Sequence, residues 1–181
     1  MQQEFNVEVE TKAFYLRPDI QPGGRQRPLK DGEQPGAELG EPIGPLAKEA
    51  GLVMRRQTLV PYTAPALEAT EFAKQHGAEM PFHQASYRAY WDRGLDLEQT
   101  EVLQGVAQEV GLDPEALGRS LTDATHREVV QAQYQEALGH GINGIPAFTV
   151  GRYLFTGAHP YEFFQQVAQR VLLDRETEGA E

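Results

Sequence analysis

The stretch Gly139–Gly157, G-H-G-I-N-G-I-P-A-F-T-V-G-R-Y-L-F-T-G, converts a helix into a sheet within a few residues. Gly139 suits the left-handed conformation that ends a helix, and Gly141 and Gly144 let the backbone bend where a side chain would clash. Ile145-Pro146 is the step at which a cis peptide costs least, because the tertiary amide narrows the trans preference to roughly 0.5–1 kcal/mol. Pro146 has no N–H to donate, so it fits only a strand start, an edge or a bulge. Two short strands are expected next, Ala147–Val150 and Tyr153–Phe155. Their connection, Gly151-Arg152, has glycine first, as a type II′ hairpin turn requires.

The same stretch holds a false lead. Gly139, Gly141 and Gly144 spell G-x-G-x-x-G, a dinucleotide fingerprint only when a strand precedes it and a helix N-terminus follows to hold the pyrophosphate. Here a helical segment precedes and a Pro-led, strand-like segment follows, so the order is reversed and nucleotide binding is set aside.

With 181 residues and 40% hydrophobic content the chain can bury one sizeable core, which makes a single domain the default and leaves room for an inserted subdomain. The formal net charge of −11 opposes nucleic acid or an anionic membrane as partner, since both require a basic face. No apolar run is long enough to span a bilayer, and the opening Met-Gln-Gln-Glu is no signal peptide. A cytoplasmic location is therefore expected. Cysteine is absent, which removes disulfides, thiolate ligands and a cysteine nucleophile together.

Outward from the opening stretch, Phe5, Val7 and Val9 alternate with Asn6, Glu8 and Glu10, and the run becomes apolar on both faces through Ala13–Leu16. A strand over Phe5–Leu16 is expected. Arg17–Gly44 is rich in Pro and Gly and is expected as a long irregular loop, with a helical turn near Leu46–Ala50. Helices are then expected from Ala64 to Gly77, Pro81 to Arg93, Glu98 to Val110, Pro114 to Leu121 and Asp123 to Leu138. A last helix begins at His159 or Pro160. Asp113-Pro114 pairs an N-cap with Pro at the first helical position. The tail beyond Asp174 is acidic and expected to fray.

His76, His83, His126, His140 and His159 fit no ligand spacing, so no metal is expected. His126 reads as a helix-face residue and His159 as a neighbour of a cap; a meeting of His140 with His159 is weighed only as a minor catalytic option. Phe82, Tyr87, Tyr90 and Trp91 at helical spacing read as core before pocket. Ser86 and Ser120 lack a G-x-S-x-G elbow, and Glu8 and Glu10 read as the solvated face of a strand.

Several segments, in order, carry a family resemblance: F-Y-L-R-P-D-I-Q-P-G-G at Phe14–Gly24, G-L-V-M-R-R at Gly51–Arg56, A-L-E-A-T-E-F-A at Ala66–Ala73, Y-R-A-Y-W-D-R-G at Tyr87–Gly94, G-L-D-P at Gly111–Pro114 and G-I-N-G-I-P-A-F at Gly141–Phe148. Together the chain resembles the DsbA-like branch of the thioredoxin superfamily. It is most similar to FrnE-type cytoplasmic disulfide oxidoreductases, which are related to 2-hydroxychromene-2-carboxylate isomerases and kappa-class glutathione transferases. The resemblance implies an α/β, thioredoxin-like fold with a large helical insertion. Its implied layout is a second thioredoxin strand and long loop over residues 1–62, a helical insertion over 63–138, a cis-Pro loop, hairpin and helix over 139–173, and an acidic tail over 174–181. It assigns substrate binding to Gly144, Ile145, Pro146 and Ala147, with Gly157 and Ala158 in the element leading to the last helix. A residue before a cis-Pro can offer its N–H and C=O to an extended peptide.

The family's opening strand and C-x-x-C helix have no counterpart in this sequence, so Met1 is expected to be an internal or misassigned start, or the chain a fragment. Without cysteine, thiol exchange has no mechanism, and no catalytic residue is assigned. Two classes of function follow: a disulfide oxidoreductase domain that is redox-inactive as written, or a non-catalytic peptide-binding module. A glutathione-dependent isomerase-like protein is the further alternative. The expected partner is a peptide or protein substrate, without nucleic acid or membrane and with a homodimer left open; no cofactor is expected, or glutathione under the alternative.

Overall fold

The computed structural model describes residues 1–178. Its elements run β1 (Arg25–Gln26), α1 (Ile43–Glu49), β2 (Leu59–Val60), α2 (Ala64–Gln75), α3 (Glu79–Trp91), α4 (Thr100–Glu109), α5 (Pro114–Thr122), α6 (Arg127–Gly139), β3 (Ala147–Val150), β4 (Tyr153–Thr156) and α7 (Tyr161–Glu178). Two antiparallel two-stranded sheets form, β1 with β2 and β3 with β4. Among the described residues no helix is long and apolar enough to cross a membrane.

The chain forms two compact units, Arg17–Ala132 and the pair of segments Met1–Leu16 and Gln133–Glu181. In the first, α2 to α5 enclose an apolar core in which Phe82, Leu103, Val106 and Leu117 are shut off from solvent. The stripe Leu103, Val106 and Ala107 follows the helical period, so one face of α4 turns inward. Asp113 caps α5 through its Oδ1, which accepts from the N–H groups of Glu115 and Ala116, with Pro114 at the first helical position. At the end of α4, Gly111 lies at φ 78°, and the Leu112 N–H reaches the Ala107 carbonyl. That geometry is the left-handed stop that the glycine permits.

The division between units falls at residues 16–17 and 132–133. The long loop is tied to the helices: Gly23 N–H donates to the Glu98 carboxylate, and Arg55 N–H to the Trp91 carbonyl. Arg17–Gly44 is mostly irregular as expected, but Arg25–Gln26 pairs with Leu59–Val60. Glu33 holds the loop from within, meeting Arg27 and Arg56 at 3.3 and 3.2 Å. The last turns of α6 belong with the N-terminal segment. Gln133 accepts from the Ala13 N–H, Glu136 pairs with Lys12 at 2.7 Å, and Tyr134 meets the rings of Phe14 and Tyr15 edge-on.

Four expectations are corrected. Phe5–Leu16 carries no ladder among the described residues. Its alternation survives as half-buried Phe5 and Val7, yet Val9 is 62% exposed and no strand lies alongside to take up the backbone groups. Gly139 is the last residue of α6 and is not left-handed; Gly141 takes that role at φ 76°, with Ile142 N–H bonded to the Ala137 carbonyl. The helix expected from Asp123 starts at Arg127, because Ala124 sits at φ 52° and Thr125 N–H closes α5 onto Ser120. Finally, residues 174–178 continue α7 instead of fraying, anchored by Asp174, and the rest of the expected tail lies outside the described residues.

Candidate functional site

In the strand pair, Val150 faces Tyr153 and Phe148 faces Phe155. The two-residue connection has Gly151 at φ 58°, while Arg152 keeps a negative φ, which is the II′ rather than the I′ arrangement. A side chain at Gly151 would press on Val171, its Cβ meeting the Val171 methyls at 3.0 and 3.1 Å. The turn therefore favours glycine at 151, and a side chain there would also require Val171 to shift by a few tenths of an ångström.

One face of the hairpin rests on α7. Phe148 stacks on Phe155 at 5.4 Å, and Phe164 and Phe163 meet them edge-on at 4.9 and 5.0 Å. The turn is clamped by Asp174, which accepts from the Tyr153 hydroxyl at 2.7 Å and pairs with Arg152 at 2.8 Å and Arg170 at 3.1 Å. The Tyr153 hydrogen bond, followed by the two guanidinium groups, holds the Asp174 carboxyl below the ordinary carboxylate range.

The other end of the hairpin carries the residues singled out in the sequence. The Ile145–Pro146 peptide bond is cis. Gly157, at φ 99°, donates its N–H to the Pro146 carbonyl at 2.8 Å, which extends the ladder by one pair. Ile145 is 49% exposed and Pro146 and Ala158 are exposed, whereas Gly144, Ala147 and Gly157 are half-buried.

Alternation of the antiparallel ladder now decides which backbone groups are available. Pro146, Phe148 and Val150 point their hydrogen-bonding groups toward β4, so Ile145, Ala147 and Thr149 point theirs away from it. Among the described residues none of these three bonds another element. The outward edge is thus Ile145-x-Ala147-x-Thr149. Gly144 and Pro146 flank or shape it, and Gly157 and Ala158 lie on the β4 side. Thr149 was missed in the sequence; counting two residues on from Ala147 from a two-residue turn would have found it.

The histidines take structural places. His159 lays its ring on Phe163 at 4.2 Å with Nε2 2.9 Å from the Thr156 carbonyl oxygen, and no contact to His140 appears among the described residues. His126 is buried at 3% exposure beside Phe72, just before α6, and not on an open helix face. Phe82 is core, Tyr90 donates to the Leu59 carbonyl, and Tyr87 is 48% exposed. Desolvation raises the Tyr90 hydroxyl above its ordinary value. With no cysteine in the sequence, the edge carries no thiolate.

The chain is 27% identical over 169 residues to an uncharacterized protein, YwbO, of Bacillus subtilis (strain 168), covering 89% of this chain and 80% of that protein. It is also similar to a crystal structure described as a probable DsbA oxidoreductase, SCO1869, from Streptomyces coelicolor. The TM-score is 0.64 and the identity 28%, over 72% of this chain and 57% of that one. The chain thus spans little more than half the length of that solved relative. The fold is a helix-rich, mixed α/β thioredoxin-like one of the DsbA kind. The family model described as a DSBA-like thioredoxin domain matches residues 1–169, and the chain belongs to that family.

Proposed function

We propose that this chain is the substrate-holding part of a FrnE-like, cytoplasmic member of the family, and that it binds an extended peptide along the edge Ile145–Thr149. The observation that carries this reading is the alternation of the β3 ladder, which leaves three residues with outward backbone donors and acceptors at a half-buried, partly apolar strand. A peptide strand added there would complete the ladder, a mode in which main-chain bonds supply affinity and alternate side chains supply selectivity. The exposed Ile145 side chain offers the first apolar contact.

Disulfide exchange needs an attacking thiolate, and the sequence contains no cysteine. Insulin reduction by this polypeptide is therefore expected to stay at the rate without protein, and turnover would overturn the mechanism. Binding is tested with a fluorescently labelled, disordered peptide by anisotropy. Thr149→Pro removes an outward N–H while leaving the bonds to β4. The loss of one or two hydrogen bonds of roughly 1 kcal/mol each should weaken the peptide about 5- to 30-fold. Undiminished affinity in Thr149→Pro, with the hairpin intact by NMR, would end the edge-strand reading. Glutathione serves as competitor: displacement of the peptide by it favours the glutathione-dependent alternative.

A further inference from the structure

The sequence holds two asparagines, Asn6 and Asn143, and the fold gives them opposite surroundings. Asn143 is exposed and lies in the irregular turn between α6 and β3, directly before Gly144. The main-chain bonds that close α6 end with the Ile142 N–H, and the ladder resumes where the Gly157 N–H meets the Pro146 carbonyl. Between them the Gly144 N–H donates to nothing among the described residues, and the Asn143 side chain has no partner there. A Cβ placed on Gly144 would meet no heavy atom within 4 Å, so the space beside its nitrogen is open. Glycine also leaves the step free to bring that nitrogen onto the Asn143 side-chain carbonyl.

At Asn6 these conditions fail. The following residue, Val7, is β-branched and crowds its own nitrogen. Its N–H is engaged with the Phe5 carbonyl at 2.8 Å.

We propose that Asn143 is a site of spontaneous deamidation, through a cyclic imide formed with Gly144. The Gly144 nitrogen gives up its proton to solvent base and attacks Asn143 Cγ. The new C–N bond closes the ring, the Cγ–Nδ2 bond breaks, and ammonia departs with a proton taken from solvent. Water then opens the imide. Opening at Cγ leaves aspartate, whereas opening at the main-chain carbonyl leaves an isoaspartyl link in which the chain runs through Cγ. The balance is one water consumed and one ammonia released, with no oxidant or reductant. Either product adds a negative charge to a chain already at −11. The isoaspartyl form also lengthens the main chain by one C–C bond, about 1.5 Å, two residues before Ile145. Where the edge Ile145–Thr149 holds a peptide, a consequence that rests on the function proposed above, that insertion displaces its first residue and weakens the added strand.

The test is incubation of the full chain at physiological temperature, at neutral and at mildly alkaline pH, followed by peptide mapping with mass spectrometry. The fragment carrying Asn143 should gain the mass of an amide-to-acid conversion within days, faster at the higher pH because the attacking nitrogen must be deprotonated. The Asn6 fragment should stay unchanged over that time. Asp31–Gly32 can close the same ring, but it loses and regains water without a net change in mass, so the readout is specific. Gly144→Ala fits the space and a backbone outside the left-handed region, and should slow conversion about tenfold by crowding the nitrogen. An intact Asn143, equal rates at Asn6 and Asn143, or an unchanged rate in Gly144→Ala would each overturn the proposal. None of these readouts involves a peptide, so they stand or fall apart from the binding reading. Converted protein should bind the labelled peptide about fivefold more weakly than fresh protein, the cost of one lost hydrogen bond. Asn143→Asp, which adds the charge alone, should stay closer to fresh protein; equal affinity of converted and fresh protein would overturn the link to the edge.

Discussion

The helical unit and the hairpin unit bury apolar surface in opposite ways. In Arg17–Ala132 the core is sealed, with Ala69, Phe82, Leu103, Leu117 and Val130 at 0% exposure. In the other unit Ala168, at 4% exposure, is the one buried apolar residue among those described, and the aromatic group Phe148, Phe155, Phe163 and Phe164 remains partly open. The first unit obtains its stability from interdigitated side chains. The second relies on ring contacts, an ion cluster at Asp174 and a short ladder with an open edge. An element that must accept a strand cannot also be sealed, so openness and the proposed binding role go together.

The largest effect expected to distinguish the units is a core truncation. Leu103→Ala should destabilise by about 3 kcal/mol, since it removes buried methyls and leaves a cavity. Leu154→Ala, on the open face of the hairpin at 44% exposure, should fall within about 0.5 kcal/mol of the parent. Urea unfolding measures both, and equal costs would break the contrast. The next effect is the weakened peptide binding of Thr149→Pro, which should appear without a matching loss in the helical unit.

Smaller, and opposite in sign, is Ala124→Gly. Ala124 holds φ 52°, where an L side chain crowds the following carbonyl; relieving it should raise stability by about 1 kcal/mol. A loss on this substitution would mean that the Ala124 methyl packs favourably enough to outweigh the backbone.

The smallest effect concerns acid. Asp174 has its carboxyl held below the usual 3.8 by the Tyr153 hydroxyl and by Arg152 and Arg170. A depressed carboxylate contributes stability that is fully present above its unfolded value and is lost as pH falls through the lower folded value. Hairpin resonances should therefore hold constant down to about pH 4 and shift below it, ahead of those of the helical core. In Asp174→Asn that acid step should vanish; a step that persists would assign it to another carboxylate.

Much of the helical unit was legible because local signals agree with one another. The Asp113-Pro114 start, the Val102–Val110 stripe and the Gly111 stop each follow from one residue type in one conformation. The hairpin was legible for the same reason, through Gly151-Arg152 and the apolar runs beside it. Phe5–Leu16 was misread because period-two alternation marks a face and cannot supply a partner. His126 and Glu68 look like ordinary polar helix residues, and only packing makes them buried.

The sequence by itself determined the absence of a thiolate, the order of the helices, the turn chemistry of the hairpin and the family resemblance that the family match then made firm. These depend on residue identity and on neighbours a few positions away. The tertiary structure alone decided that Ile145, Ala147 and Thr149 share one outward edge, that the last turns of α6 belong with Lys12–Tyr15, and that Glu68 Oε2 has no donor among the described residues. Each of these is a pairing between distant residues, fixed by ladder register and close packing, which local preferences do not encode.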